Sequence, residues 1–276
     1  MKTIAKLIFY YFAYQLGFIF LLGGFTYAFL TIQHYWNTGF LIAPQMGQDT
    51  LFSVNLYAML AGSIVYAWHL LHYRYVDKTP AVWSPVSAPL MLTIIPLTYG
   101  MMAWMNYLIE VIDIPDLYES LFLQLKNNPW GIMAVAVVAP VFEEILFRGA
   151  IEGHLLKTGR HPAFAIILSA LLFGVVHGNP AQIPFAFVLG LVMGWLFYAT
   201  GSLLPSMLLH FINNMSSVVL GLLFPQTSGS MEEMFGHEMS IGLSVLGLLT
   251  SVICIYIIVR ILRHTSTNIK SAAPEQ

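Results

Sequence analysis

Glu143, Glu144 and Arg148 stand inside the run "VFEEILFRG", which is otherwise apolar enough to lie in a bilayer. A charged side chain at the centre of a spanning helix costs roughly 2.5 to 3.5 kcal/mol on insertion scales, so a cluster of them there is first a functional hypothesis. Two further runs supply partners, Phe173 with His177 and His210 with Asn213 and Asn214. A carboxylate, two imidazoles and a carboxamide around a wet cavity are the parts of a hydrolase. Enclosed by apolar walls, Glu143 becomes a competent general base for water, with His177 helping to position that water. His210 and Asn214 then supply hydrogen bonds to the oxyanion formed when water attacks a peptide carbonyl. No serine or cysteine with a neighbouring base stands in the cluster, which favours direct attack by water over an acyl-enzyme. Two His and one Glu also suit zinc, and Glu143, His177 and His210 are the ligands if a metal is bound. The chain lacks the HExxH spacing that would make that alternative strong. The favoured reading requires no cofactor and keeps zinc as the competing mechanism.

Spacing sharpens these roles, because residues four apart share one helical face. Glu144 and Arg148 are so related and can pair, which lowers the cost of both charges. Glu143 is rotated away from that pair and is left free for chemistry. Phe173 with His177, and His210 with Asn214, have the same spacing. Pro140 cannot donate to the carbonyl of Ala136, so a bend is expected just ahead of the carboxylates. Gly-x-x-x-Gly pairs at 149 and 153, 174 and 178, and 190 and 194 permit close helix approach, for which packing alone is a sufficient explanation.

The elements that must position these residues follow from composition. With 58% hydrophobic and only 9% charged residues and a mean hydropathy of +0.76, the chain reads as an all-α polytopic membrane protein. No basic cluster points to nucleic acid. About eight stretches reach the roughly 20 apolar residues of a span, near 7–32, 51–71, 86–109, 130–148, 162–177, 182–200, 203–224 and 240–262. They are read as one transmembrane domain over 1–276 with a flexible polar tail from 265 to 276. With the N-terminus inside, Lys2, Lys6, Arg74, Lys78, Lys157, Arg160, Arg260, Arg263 and Lys270 all fall inside and Lys126 outside, so both termini are expected to be cytoplasmic. The lone polar residues Gln15, Asn55, His69 and Asn106 are expected to make local interhelical hydrogen bonds or to snorkel. His177 would emerge at the outer surface if 162–177 crossed fully. The turn "HGNPAQ" is therefore expected to stay at membrane depth, in a short hairpin lining a wet cavity.

In that order on three nearby helices, Glu143-Glu144-x-x-x-Arg148, Phe173-x-x-x-His177 and His210-x-x-x-Asn214 resemble the CAAX protease and bacteriocin-processing family of intramembrane endopeptidases, across roughly 130–224. The resemblance implies that Glu143 is the catalytic glutamate and that His177, His210 and Asn214 complete the site. Glu144, Arg148 and Phe173 would support it. It also implies a membrane-associated peptide or protein substrate, and it does not decide between a glutamate-dependent protease and a metalloprotease. The expected location is the plasma membrane. Other readings of the same polar groups are a proton relay or transporter, or a membrane scaffold, and no repeat relates the two halves as a transporter would favour.

Overall fold

The structure is a computed structural model in which residues 1–42, 45–225 and 230–271 are described. The chain divides into two compact units, residues 1–74 and 75–276.

The first unit is an antiparallel pair, α1 (Lys2–Thr38) and α2 (Gln48–His72). Phe9, Phe20, Phe25 and Phe29 of α1 are exposed, as expected of a face turned to lipid. Polar side chains lock the pair. The Tyr66 hydroxyl donates to the Leu7 carbonyl at 2.6 Å, Gln15 donates to Ser63 at 3.1 Å, and Tyr14 meets His69 Nδ1 at 3.0 Å. Gln15 and His69 thus make the interhelical hydrogen bonds expected of them.

The second unit holds α3 (Pro80–Trp83), α4 (Ala88–Ile112), α5 (Glu119–Lys126), α6 (Pro129–Lys157), α7 (Pro162–Val176), α8 (Gln182–Thr200), α9 (Leu204–Leu223), α10 (Met231–Phe235) and α11 (His237–Ser271). Proline in the first turn opens α3, α4, α6, α7 and α9, where its fixed φ fits the helix and its missing N–H is no loss. Asn128 caps α6 by accepting from the N–H groups of Trp130 and Gly131 at 2.9 and 3.3 Å. Lys126 is buried and donates to the Gly221 carbonyl at 2.6 Å, satisfying an orphan acceptor at the end of α9.

Seven helices of the described residues are long and apolar enough to cross a membrane. The expected count of eight is corrected at α7. Its 15 residues reach only about 22 Å, short of a hydrocarbon core of about 30 Å. α7 and α8 form a tight hairpin across the turn at 177–181, and Gly174 permits it: a Cβ there would lie 2.9 Å from the carbonyl oxygen of Ile183. Gly100 of α4 and Gly247 of α11 allow a similar backbone approach, each facing the other's carbonyl. Of the tail expected from 265, α11 continues through Ser271, and 272–276 lie outside the described residues.

Gly174→Ala should lower stability by about 1 to 3 kcal/mol, because the neighbour that must yield is backbone. Gly242→Ala, with open space around it, should not. Thermal unfolding of the two variants in detergent checks this.

Candidate active site

The site is built around a change of helical register in α6. Two π-helical stretches, Ala134–Val138 and Ile145–Glu152, flank the α-helical segment Ala139–Glu144 that carries both glutamates. Such insertions widen the helix locally and recur at functional sites. They also relocate the effect of Pro140. Since the Ala139 N–H bonds to the Ala134 carbonyl, five residues back, the carbonyl for which Pro140 has no N–H in this register is Val135 rather than the expected Ala136. Asn214 fills that vacancy from α9, its amide donating to Val135 O at 2.9 Å. Asn213 in turn donates to Asn214 Oδ1 at 3.1 Å.

Glu144 and Arg148 form the expected pair at 2.7 Å, and both side chains are completely buried. Arg148 also donates to the Gly190 carbonyl at 3.2 Å, and its guanidinium lies 4.5 Å from the centroid of the Phe173 ring. His210, buried on α9, sits between the two glutamates. Its Nδ1 is 3.0 Å from Glu144 Oε1 and its Nε2 is 3.7 Å from Glu143 Oε2. Because the ion-paired carboxylate can only accept, Nδ1 carries the hydrogen. Glu143 retains 18% side-chain exposure where Glu144 has none.

Phe173 brings the third helix in. Its ring makes edge contacts with His177 at 4.9 Å and with His210 at 5.4 Å between centroids. His177 caps α7, with Nδ1 2.7 Å from the Phe173 carbonyl. A carbonyl cannot donate, so this bond fixes the tautomer and leaves His177 Nε2 as an acceptor. Six of the seven residues singled out from the sequence are thus linked across α6, α7 and α9, while Asn214 lies one turn beyond His210 with its amide on Val135 O. Among the described residues no three His, Cys, Asp or Glu side chains are arranged to hold a metal ion. Glu143, His177 and His210 are thus not arranged as a three-ligand set here.

Residues 125–216 match the family model for Type II CAAX prenyl endopeptidase Rce1-like. That segment is similar to Rce1-like CAAX endopeptidase domains. Over 113 residues it is 30% identical to the membrane-embedded CAAX protease MroQ of Staphylococcus aureus (strain USA300), covering 39% of this chain and 46% of the relative. Over 181 residues it is 27% identical to the uncharacterized protein YyaK of Bacillus subtilis (strain 168), covering 53% of this chain and 58% of the relative. The chain spans about half the length of these curated relatives. No solved structure matches it.

Three features of residues 125–216 and their flank were missed from the sequence. Glu152 is fully buried four residues after Arg148, and its i, i+4 relation to that arginine was the available signal. Gly190 and Gly194 do more than admit a neighbouring helix: a Cβ at 190 would lie 3.2 Å from Arg148 Nη2, and one at 194 would lie 2.7 Å from Glu152 Oε2. Finally, Asn179 clamps the turn that follows His177. Fully buried, it donates to Asp116 Oδ1 at 2.8 Å and accepts from the Leu117 N–H at 3.1 Å. Its backbone carbonyl accepts from the N–H groups of Gln182 and Ile183, so one residue ties the segment before α5 to the start of α8. Sixty-odd residues separate the partners, and nothing local in the sequence announces the contact.

Two outcomes are expected. Arg148→Met, which leaves Glu144 buried without its countercharge, should cost about 3 to 5 kcal/mol and show as a sharp loss of folded protein in size-exclusion profiles. Asn179→Ala should cost about 1 to 3 kcal/mol, and raise amide exchange over residues 113–118 and 177–183 before it affects α9.

Proposed function

We propose that this chain is an intramembrane endopeptidase that hydrolyses a peptide bond of a membrane-associated protein or peptide, using water activated by Glu143. The observation that carries this reading is His210 held between Glu144 and the partly exposed Glu143, with Phe173 touching both His210 and His177. The family model and the relative named as a membrane-embedded CAAX protease support the same reaction class.

Charge gives each group its role. With a proton on both nitrogens of His210, the set Glu143, Glu144, Arg148 and His210 is neutral overall, so four ionic groups can share a low-dielectric site. Glu143 takes a proton from water while the hydroxide oxygen bonds to the scissile carbonyl carbon. The water is oriented by a hydrogen bond to His177 Nε2. His210 Nε2–H donates to the oxyanion, and the second N–H of the Asn214 amide, the one not used by Val135, adds to it. Glu143 then returns its proton to the amide nitrogen as the C–N bond breaks. Glu144 and Arg148 touch no reacting atom and act by fixing His210.

The substrate class follows from the setting, since Glu143 stands within a spanning helix and a substrate must reach it from the bilayer or its edge. A C-terminal segment next to a lipid-modified cysteine fits that requirement, as does a short hydrophobic peptide in maturation. The plasma membrane is the expected location, for which the apolar spans and the bacterial relatives are the support.

Glu143→Gln should fold normally and lower cleavage at least about 100-fold. The check is a comparison of membrane and secreted peptides from cells carrying wild-type or variant protein at matched folded levels. Identical peptide profiles would overturn the protease reading, and loss of wild-type cleavage on dialysis against a chelator would replace it with metal chemistry.

A further inference from the structure

The paired helices α4 and α11 carry a cleft that the reaction at Glu143 does not use. In α11, 21 uncharged residues separate Glu238 from Arg260, and in α4, 22 separate Ser87 from Glu110. At 1.5 Å per residue each run is about 32 Å long, close to a hydrocarbon core of about 30 Å. Arg260 and Ser87 therefore stand where acyl chains give way to headgroups. They also meet there: a cavity of about 360 Å³ between the two helix ends is lined by Ser87, Pro89, Tyr256, Ile257, Arg260 and His264.

The packing of the pair explains why space is left at this level. About three turns deeper, a Cβ on Gly100 would lie 2.7 Å from the Gly247 carbonyl oxygen, and one on Gly247 would lie 2.6 Å from that of Gly100. Backbone touches backbone in mid-membrane, while at the ends Tyr256, Ile257 and Arg260 stand between the helices. The walls of the cleft are apolar and its rim is cationic. Arg260 Nη1 donates to the Tyr256 hydroxyl at 3.0 Å, and the guanidinium carbon lies 5.8 Å from the centroid of the Tyr256 ring. That bond occupies one of the five N–H donors of an arginine and fixes the fork at the mouth of the cleft. Ser87 does not cap α4 with its side chain, and its hydroxyl lines the same mouth. No acid lines the cleft among the described residues.

We propose that this cleft binds an anionic phospholipid, with the phosphate on the Arg260 guanidinium and the Ser87 hydroxyl and one acyl chain along Pro89, Tyr256 and Ile257. The planar fork of arginine suits a phosphate, and an apolar wall directly below it suits the chain. Charge selects the headgroup. Lys78, Lys157, Arg160, Arg260 and Arg263 lie at this edge of the second unit, and the acid there, Asp77, is paired with Lys157 at 3.1 Å. An anionic headgroup is attracted to such an edge, whereas a zwitterionic one brings a further cation to it. The lipid ties the end of α4 to that of α11. α9 in turn rests on α4, where the Ser216 hydroxyl donates to the Tyr99 hydroxyl at 3.3 Å, so the bound lipid braces the support of the helix that carries His210. The site is independent of the reaction assigned to Glu143.

The test uses full-length protein in phosphatidylcholine nanodiscs doped with a phosphatidylglycerol that carries a photoreactive diazirine on one acyl chain, with labelled peptides mapped by mass spectrometry. Label should concentrate on residues 87–91 and 256–264, and unlabelled phosphatidylglycerol should compete for it where added phosphatidylcholine does not. Arg260→Gln should weaken that competition about fivefold, the effect of one cation at a membrane surface. Ile257→Trp, which fills the acyl wall and leaves every charge in place, should lower the labelling of both segments at least as far, and it decides the matter should Arg260→Gln fail to accumulate. Label spread evenly over the lipid-facing length of α11, equal competition by phosphatidylcholine, or labelling of the variants as in wild type would overturn the proposal. Displacement of the label by millimolar inorganic phosphate would overturn it as well, because the site would then take a free anion and not the lipid.

Discussion

The buried pair between Glu144 and Arg148 is the constraint around which the second unit is organised. Two charges removed from water carry a large desolvation penalty, and their mutual attraction offsets it only when the remaining hydrogen-bonding capacity is also met. Here the helix alone cannot meet it. The Arg148 guanidinium needs the Gly190 carbonyl from α8 and the face of Phe173 from α7, and the Glu144 carboxylate needs His210 from α9. Engaging this one ion pair therefore draws three other helices onto α6, and one of the groups that approach it, His210, is proposed to carry chemistry.

Backbone register is the second determinant. A regular α-helix through 134–152 would turn successive side chains by the usual 100°, and Pro140 would leave Ala136 unpaired. The π-helical stretches on either side of the glutamates change both facts. The unpaired carbonyl becomes Val135, and Asn214 is held on it. The amide is thereby anchored four residues, or about one turn, beyond His210 on α9. A helix irregularity and a carboxamide on a distant helix thus answer each other, which explains how a proline can sit three residues before Glu143 without opening the bundle there.

α7 shows why a short helix belongs at such a site. A full span would have carried His177 past the depth of Glu143, whereas a helix of 15 residues ends where Phe173 can touch both histidines. The turn that follows contains irregular backbone, tolerated at depth only where protein or water covers its polar groups. Asn179 and the segment before α5 provide that cover with side-chain and main-chain hydrogen bonds.

The sequence by itself determined the class of protein, the three polar helices and the residues on them. Hydropathy makes spans, an interval of four makes a shared face, and charge inside an apolar run marks a site; each of these is a local physical rule. Glu144 with Arg148, Phe173 with His177 and His210 with Asn214 were legible for that reason. Only the tertiary structure decided that His210 lies between the two glutamates, that Asn214 serves Val135, that Gly190 and Gly194 make room for Arg148 and Glu152, and that Asn179 secures the His177 turn. These depend on which helices are neighbours and on a register that departs from 3.6 residues per turn. Both are set by satisfying buried polar groups across dozens of intervening residues, and no local pattern encodes that requirement.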